Sequence, residues 1–213
     1  METTIEYKNL TIEMIDAPRF NQTPGCSNFY EKIYQADKDK EYNPVSQHAI
    51  VVYRDNIRVT SAILLAAGGA TTVTRDGVII DENNLITRCC NKVFSLTLFD
   101  LRLNWVLEID WVTCFSIRMY GDTYITHGEM SIARIDKTGK ILWSYEGADI
   151  FVSRNEGTSF EMYENYIAMT DFNGGNYKID YDGNTLNYEE SDYHKQKPVT
   201  VLMKSQKAWW KFW

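Results

Sequence analysis

The sequence predicts an all-β protein, a propeller-like array of about four four-stranded antiparallel meanders. Three segments share one pattern, in which a strand ends in aspartate, a turn follows, and the next strand carries an aromatic residue; they are 94–105, 132–143 and 177–188. A short apolar run ending in threonine precedes each, and Thr87, Thr126 and Thr170 lie 39 and 44 residues apart. One propeller blade repeats about every 40 to 50 residues. The repeat therefore predicts a single β domain, 1–195, followed by a tail, 196–213.

The clearest unit lies between residues 112 and 145. Its four strands are predicted at 112–119, 123–126, 130–136 and 140–145. Lys137-Thr138-Gly139 forms the hairpin between the last two strands, with glycine where positive φ costs least. Asp182-Gly183 takes the same place in the next unit, whereas the preceding unit has Leu101-Arg102 without glycine.

The first unit is predicted in residues 1–65, where an insertion at 17–47 interrupts it. One hairpin, at 4–15, precedes the insertion and another, at 49–65, follows it. Both hairpins have the alternating apolar and polar residues of half-buried strands. The insertion is therefore expected to leave the sheet and return to it.

A short helix is predicted inside this insertion, over residues 27–37. Phe29, Tyr30, Ile33 and Tyr34 fall on one helical stripe, and Ser27 or Asn28 is available as its N-cap. The helix either closes one end of the core or forms a lid or partner-binding element.

Composition narrows the class of protein. A chain of 213 residues with 44% hydrophobic residues can bury one sizeable core, and 14% aromatic residues favour strands. The formal charge of −7 argues against a general nucleic-acid-binding protein and favours a cationic partner. The acidic start, residues 1–6, does not resemble a signal peptide, and no apolar run reaches the roughly 18 residues of a membrane span. We expect a cytoplasmic protein.

The cysteines and histidines are scattered. They are Cys26, Cys89, Cys90 and Cys114, with His48, His127 and His194. No C-x-x-C spacing or metal-ligand cluster is present, so we expect reduced, mostly buried thiols and no bound metal. Neighbouring strand residues point to opposite faces, which predicts that at most one thiol of the adjacent pair lies in the core.

The segment Ile132-Ala133-Arg134-Ile135-Asp136-Lys137-Thr138-Gly139-Lys140-Ile141-Leu142-Trp143 resembles the repeats of quinoprotein-like (PQQ-type) and WD40-like β-propellers. In the quinoprotein-like repeat a strand ending in aspartate leads through a Thr-Gly turn to a strand with tryptophan. The resemblance is weaker at 94–105 and 177–188 and covers about half of the chain. It implies a propeller-like meander and no bound quinone or other cofactor, although the adjacent cysteines are similar to a pair that some quinone-dependent enzymes place against the cofactor.

The repeat places one set of candidate binding residues along a single rim. In a meander, the turns between the second and third strands share an edge with the crossings between units. The candidate residues at this edge are Arg88, Glu108, Asp110, His127, Glu129, Glu146, Asp149, Asp171, Glu190 and Asp192. They are mostly acidic, which predicts a rim that attracts a cationic partner.

Each of these residues also has an ordinary structural interpretation. Acidic loop residues are commonly solvated, Arg88 is a natural ion-pair partner for them, and His127 alone is commonly a hydrogen-bonded polar residue. A metal site would require His127 to meet Asp110, Asp149 or Glu129, and their spacing does not require this. No G-x-S-x-G, H-E-x-x-H or P-loop motif is present, so the sequence predicts no catalytic residue and favours a protein that is not an enzyme.

The C-terminal tail carries a different signal. Residues 204–213 contain three lysines and four aromatic residues, Trp209, Trp210, Phe212 and Trp213. The tail can fold back onto the acidic rim, join a second copy, bind another protein, or touch a membrane interface, where tryptophan is favoured. Membrane contact through this tail is the weakest of these expectations, because one short segment is too little for stable anchoring.

Two classes of function follow. The first is a non-catalytic interaction module that binds a cationic protein on the acidic rim, as a small acidic bacterial immunity protein does with a basic toxin. The second is a small-ligand-binding or hydrolytic propeller that uses His127, Asp171 and Arg88. A ligand-binding protein or enzyme needs a concave pocket with convergent groups, whereas an interaction module presents a broad rim.

Overall fold

The structure is a computed structural model that describes residues 1–18, 20, 30–37, 43–154 and 157–191. Sheet 1 contains β1 (Glu2–Tyr7), β2 (Leu10–Asp16), β3 (Lys32–Gln35), β4 (Ser46–Arg54) and β5 (Ile57–Ala66), in the order β1-β2-β4-β5-β3. A 3-10 helix, Arg75–Gly77, leads into sheet 2, with β6 (Val78–Asp81), β7 (Asn84–Cys89), β8 (Lys92–Thr97) and β9 (Leu103–Glu108). Sheet 3 contains β10 (Cys114–Tyr120), β11 (Thr123–Gly128), β12 (Ser131–Asp136) and β13 (Ile141–Glu146). Sheet 4 contains β14 (Phe160–Met162), β15 (Ile167–Thr170), β16 (Asn176–Ile179) and β17 (Thr185–Glu189).

The predicted array of antiparallel meanders is confirmed. Sheets 2, 3 and 4 have their strands in sequence order, and sheet 1 is the same meander with β3 added at its edge. Gly139 and Gly183 adopt φ angles of +84° and +85° in the hairpins where the sequence places them. In sheet 2, Leu101 takes the corresponding left-handed conformation, with φ +49°, without glycine.

The predicted helix is wrong where the structure describes it. Lys32–Gln35 is β3, which pairs in parallel with β5 from Lys32↔Ala62 to Gln35↔Leu65. The free edge of β5 offers unpaired backbone groups, and a strand satisfies them where a helix would not. Side chains on β3 alternate as a strand requires, since Tyr34 packs against the core and Ile33 is exposed. Residues 27–29 of the predicted helix lie outside the described residues.

Three apolar clusters join consecutive sheets. Sheets 1 and 2 share a cluster around Ile50, Leu64 and Phe94, and sheets 2 and 3 share a smaller one around Val93 and Tyr124. The third cluster joins sheets 3 and 4 through Ile125, Ile132, Phe151, Met169 and Tyr177. Among the described residues no such cluster joins sheet 4 to sheet 1, so these residues form an array with two ends.

Each junction also has one aromatic hydrogen bond. Tyr34 Oη donates to Leu101 O at 2.8 Å, Trp105 Nε1 to Lys137 O at 2.9 Å, and Trp143 Nε1 to Tyr181 O at 2.9 Å. In all three the acceptor lies in or beside the last hairpin of the following sheet. The tryptophan of the repeat thus links sheet 2 to sheet 3 and sheet 3 to sheet 4, and Tyr34 of the insertion makes the corresponding bond between sheets 1 and 2.

The two ends of the array are covered in different ways. On sheet 1, the face turned away from sheet 2 buries Ala49, Val51, Ile63 and Leu65, and the insertion is attached there by the hydrogen bond from Glu31 N to Ser61 Oγ, 3.2 Å. On sheet 4, the corresponding outward face is polar. It carries Glu161, Ala168, Thr170, Asn176, Lys178, Asn187 and Glu189. A polar outer face is typical of the terminal unit of a repeat array.

Helices play almost no part in the described fold. Within the described ranges, no helix is long and apolar enough to cross a membrane.

Candidate functional site

One edge of the array brings together the turns after β7, β11 and β15 and the crossings between sheets, 67–77, 109–113 and 147–159. We call it the crossing edge. It is the rim that the sequence predicts, and the predicted residues within the described part of the chain are on or beside it. Their roles differ from one another.

Asp110 is a buried structural carboxylate, not an exposed rim residue. Its Oδ1 accepts hydrogen bonds from Val112 N at 2.8 Å and Thr113 N at 3.1 Å. Its Oδ2 accepts from Met130 N at 2.9 Å, and from Ser131 N at 3.0 Å and Oγ at 3.2 Å. These five bonds join the crossing after sheet 2 to a turn of sheet 3, so Asp110 stabilises this junction.

Asp149 links the crossing after sheet 3 to a turn of sheet 4, and Asp171 holds that turn together within sheet 4. The half-buried Asp149 accepts hydrogen bonds from Ile150 N at 2.8 Å and from the side-chain amide of Asn173. The buried Asp171 accepts from Gly175 N at 2.8 Å and from Tyr177 Oη at 2.6 Å. Desolvation, followed by this bond to Asp171, raises the pKa of Tyr177, so the phenol stays protonated and donates.

His127 is also a structural residue. Its Nε2 lies 3.1 Å from Phe151 O, and its ring stacks on Phe160 with the ring centres 4.8 Å apart. Burial lowers the pKa of His127 to about 4, so the ring is neutral at pH 7. No hydrogen bond within the described chain joins His127, Asp171 and Arg88, which have separate partners.

The remaining predicted acids stay accessible. Glu108, Glu146 and Glu190 are exposed, and Glu129 is half-buried. Asp192 and the tail residues Trp209, Trp210, Phe212 and Trp213 lie outside the described residues. Within the described part of the predicted rim, the exposed acids are therefore glutamates, while Asp110, Asp149 and Asp171 hold the fold together.

Cys89 and Cys90 correct one expectation. Both side chains are fully buried in the cluster between sheets 1 and 2, although they are neighbours. Cys90 has a φ of +55°, a left-handed conformation that ends β7 and turns its side chain back to the core side. Cys90 Sγ lies 3.2 Å from Ala66 O, and both thiols are free.

The crossing edge contains one open pocket, of about 390 Å³. It lies between the insertion, the crossing after sheet 1, and the edge of sheet 2. Its lining residues are Asp37, Asn43, Val45, Ala67, Gly68, Asn91, Lys92, Glu108 and Trp111. We call it the Lys92 pocket.

Lys92 is a buried cation that the surrounding groups neutralise. Its Nζ lies 2.8 Å from Asn91 Oδ1, 3.1 Å from Asp37 Oδ1 and 3.2 Å from Glu108 Oε2. The side chains of Lys92 and Asp37 are 6% and 5% exposed, whereas that of Glu108 is 51% exposed. Lysine is almost never buried without such partners. Of the two carboxylates that face Lys92, Glu108 is the one accessible from solvent.

Trp111 stands beside this pocket with 84% of its surface exposed. Three further exposed apolar residues, Val45, Val112 and Met130, continue from it along the crossing edge. Val112 and Met130 are neighbours because their backbone N–H groups bond to the two oxygens of the same Asp110 carboxylate. We call these four residues the apolar strip. Exposed apolar residues that are contiguous, rather than scattered, mark interaction sites.

Sequence reasoning missed Lys92, Asp37 and Trp111. One signal was available for Lys92, because the third strand of each sheet begins with Ser46, Lys92, Ser131 or Asn176. Lysine is the only charged residue in this series. A charged residue at a position that otherwise holds a small polar residue indicates a local function. Lys92 is also paired across the sheet with Glu108, at the end of β9.

No group of three or more His, Cys, Asp or Glu side chains in the described residues could hold a metal ion. Neither the family models nor the curated proteins contain a match to the chain. The similarities found are to solved structures. BamB from Moraxella catarrhalis is 12% identical with a TM-score of 0.45, over 68% of this chain and 48% of that one. A europium-containing methanol dehydrogenase is 14% identical with a TM-score of 0.43, over 53% of this chain and 24% of that one.

A third structure, the AfRom2 CNH domain, is 7% identical with a TM-score of 0.48, over 89% of this chain and 54% of that one. BamB and the methanol dehydrogenase have PQQ-type β-propeller folds. The chain spans about half or less of the length of each structure. At these identities the similarity concerns the fold alone.

Proposed function

We propose that the chain is a non-catalytic protein-interaction module whose crossing edge binds a cationic protein partner. In this proposal the partner covers the apolar strip and places one lysine or arginine side chain in the Lys92 pocket. The observation that carries it is an almost fully exposed tryptophan, Trp111, beside a 390 Å³ pocket that has Glu108 at its opening.

The chemistry of these groups favours a basic anchor. An indole face attracts ammonium and guanidinium groups, and tryptophan is enriched among the residues that dominate binding energy at interfaces. Glu108 supplies a carboxylate beside the pocket that is half-exposed. Glu129 and Glu146 extend the negative charge along the edge, which would steer a cationic partner towards it.

Immunity against a basic toxin is one concrete form of this proposal. It requires a partner with a clustered basic surface, and it adds no residue to the site. The tail, 204–213, is an alternative cationic occupant of the same edge, as predicted from the sequence.

The direct test is a photo-crosslinking amino acid at position 111, with position 99 as the matched control. Phe99 is an exposed aromatic residue in the last hairpin of sheet 2, at the opposite edge. We expect a crosslink from position 111 to a basic protein, with little from position 99. The yield of crosslinked product should fall as salt rises past about 0.15 M, where charges are screened within roughly 8 Å.

Variants then assign the binding energy. Trp111→Ala should weaken binding by at least about tenfold, and Glu108→Gln should mainly slow association, whereas Phe99→Ala should do neither. Equal crosslinking at both positions, or binding unaffected by Trp111→Ala, would contradict the proposal.

A second candidate function is binding of a small cationic ligand. The pocket volume favours it, because ligand sites commonly measure about 300 to 1,000 Å³. Under this alternative, the purified chain should release a small molecule on denaturation. Added back without any protein partner, that molecule should change the tryptophan fluorescence of the unmodified chain and not that of Trp111→Ala. A protein crosslink without a released small molecule favours the interaction module.

A further inference from the structure

A second site on the crossing edge is built around Arg88. Only 6% of this residue is exposed, yet two of its side-chain nitrogens, Nε and Nη1, have no hydrogen-bond partner in the described structure. Its third nitrogen, Nη2, donates to Thr74 Oγ1 at 2.9 Å. The guanidinium faces a cleft between sheets 1 and 2, lined by Met14, His48, Thr72, Val73, Thr74, Gly77 and Thr87.

The polar groups nearest to Arg88 are already used by others. Asp16 pairs with the amino group of Met1 at 2.9 Å and accepts a hydrogen bond from Val73 N at 2.8 Å. Asp76 pairs with Arg118 at 3.1 Å. The ring nitrogens of His48 face two backbone carbonyl oxygens, those of Arg88 and Thr71, at 3.1 Å and 3.0 Å.

This arrangement is costly as it stands. Arginine stays protonated in proteins, and a buried charge is normally paired and fully hydrogen-bonded. Burial also lowers the pKa of Arg88, which reflects the same cost of desolvation. As described, the cleft has no volume that a water-sized molecule can enter, so an acceptor for these N–H groups needs the cleft to open.

The crossing above Arg88 is thin. Thr72, Arg75 and Asp76 are exposed, and Gly77 leaves room for the guanidinium, because a Cβ at this position would lie 2.8 Å from Arg88 Nε. Beneath it, the bond from Thr87 Oγ1 to Gly77 O, 3.0 Å, fixes the start of sheet 2. An outward movement of residues 72–76 would open the cleft to solvent and leave the strand pairing intact, at the cost of the bonds from Val73 N to Asp16 and from Arg88 Nη2 to Thr74 and of the burial of Val73.

We propose that Arg88 is the anchor of a small-oxyanion site, in which the Nε and Nη1 N–H groups donate to an anion of the phosphate or sulfate type when residues 72–76 move outward. The site is separate from the Lys92 pocket and has the opposite charge preference. Charge-assisted hydrogen bonds from arginine to such anions are among the stronger ones in proteins.

Inorganic phosphate is the probe for this site. The side-chain Nε–H signals of the arginines are followed by NMR in the full chain during titration with phosphate at constant ionic strength, with chloride as the comparison anion. We expect one arginine signal, identified by its loss in Arg88→Lys, to shift saturably with phosphate and not with chloride. The melting temperature should rise over the same concentration range, because a ligand that binds only the folded state stabilises it.

Matched variants separate this site from surface charge. Arg88→Lys keeps the charge but loses the planar donor set, and should weaken phosphate binding by about tenfold or more. Gly77→Ala keeps Arg88 but fills the space next to Nε, so it should weaken phosphate binding as well. It tests the proposal if Arg88→Lys does not fold. Arg75→Lys changes an exposed neighbour and should leave binding unchanged. Two results would overturn the proposal: no saturable response to phosphate in the unmodified chain, or a response in Arg88→Lys and Gly77→Ala as large as that of the unmodified chain.

Discussion

Trp143 of sheet 3 lies directly on Gly183 of sheet 4. A Cβ at Gly183 would be 2.9 Å from Cδ2 of the indole, and the indole N–H donates to Tyr181 O in the same hairpin. The preceding junction has the same arrangement, with a Cβ at Gly139 only 2.7 Å from Trp105 Cδ2. The glycine of each hairpin therefore serves the turn and the docking of the tryptophan from the sheet before it.

Replacing either glycine should be more harmful than a turn glycine normally is. For Gly183→Ala we expect a loss of about 1 kcal/mol from the positive φ and a further 1 to 3 kcal/mol, roughly, from overpacking against Trp143. Gly121→Ala is the matched control, because Gly121 has a φ of +56° and no atom within 4 Å of a Cβ placed there. Chemical denaturation measures both, and equal losses would show that the tryptophan contact is unimportant.

Asp110→Asn should destabilise the protein. The sequence predicts Asp110 as one acid of an exposed rim, where a change to Asn would have little effect on stability. The structure corrects this for Asp110, because an amide nitrogen in place of either oxygen would face backbone N–H donors. We expect a loss of about 3 kcal/mol in the free energy of unfolding, from buried donors left without acceptors.

Glu146→Gln is the control for Asp110→Asn, since Glu146 is exposed on the same edge. Its effect should stay within about 0.5 kcal/mol. The loss in the free energy of unfolding for Asp149→Asn should lie between those of Asp110→Asn and Glu146→Gln, because Asp149 is only half-buried. Identical unfolding curves for Asp110→Asn and Glu146→Gln would contradict the structural role of Asp110.

Acidification should destabilise the chain through His127. The pKa of this ring is about 4 in the folded state because of burial, against about 6.5 in an unfolded chain. The unfolded state therefore binds more protons between these values, so stability is retained above about pH 6.5 and is lost as the pH falls towards 4, by up to about 3 kcal/mol. Unfolding at pH 7, 5 and 4 should show a shallower decline for His127→Gln than for the unmodified chain. His48, whose pKa burial also lowers, remains in both proteins and cancels in the comparison.

The thiols should be protected by folding. Cys89, Cys90 and Cys114 are free and buried, so a bulky thiol reagent should not label them in the native protein. Acid-trapped, denatured protein should show four free groups, the fourth from Cys26, which lies outside the described residues. Native labelling of Cys89 or Cys90 would mean that the junction between sheets 1 and 2 opens readily.

The fold was accessible from the sequence because its signals are local. The period of the threonines and the Asp-to-Gly hairpins depend on residues close together in the chain, and these predicted sheets 2, 3 and 4. The helix over 27–37 failed for the opposite reason. Ile33 and Tyr34 suit one face of a helix, but the free edge of β5, about 30 residues later, decides in favour of a strand.

The site was only partly accessible. The meander predicted which edge would collect the loops, but it gave no indication of which carboxylates would be buried by the next sheet. Asp110 and Asp171 cannot be told apart from Glu146 in the sequence. Asp110 becomes an acceptor of several hydrogen bonds because a turn of the next sheet packs against it, and Asp171 because the turn of its own sheet folds around it. Trp111 was overlooked because an aromatic residue in a β protein is ordinarily part of the core.

Sheets that dock through one repeated contact carry a risk of polymerisation, because the last sheet of one molecule could dock in the same way onto the first sheet of another. Contacts of this head-to-tail kind do not close on themselves and lead to filaments. In sheet 4, Lys178 and Asn187 take the places that Arg134 and Trp143 occupy in sheet 3. The tryptophan that would recruit a further sheet is absent there, and the insertion occupies the other end. The outer faces of sheets 1 and 4 therefore both differ from the repeated contact that joins neighbouring sheets within the described chain, which should oppose head-to-tail growth.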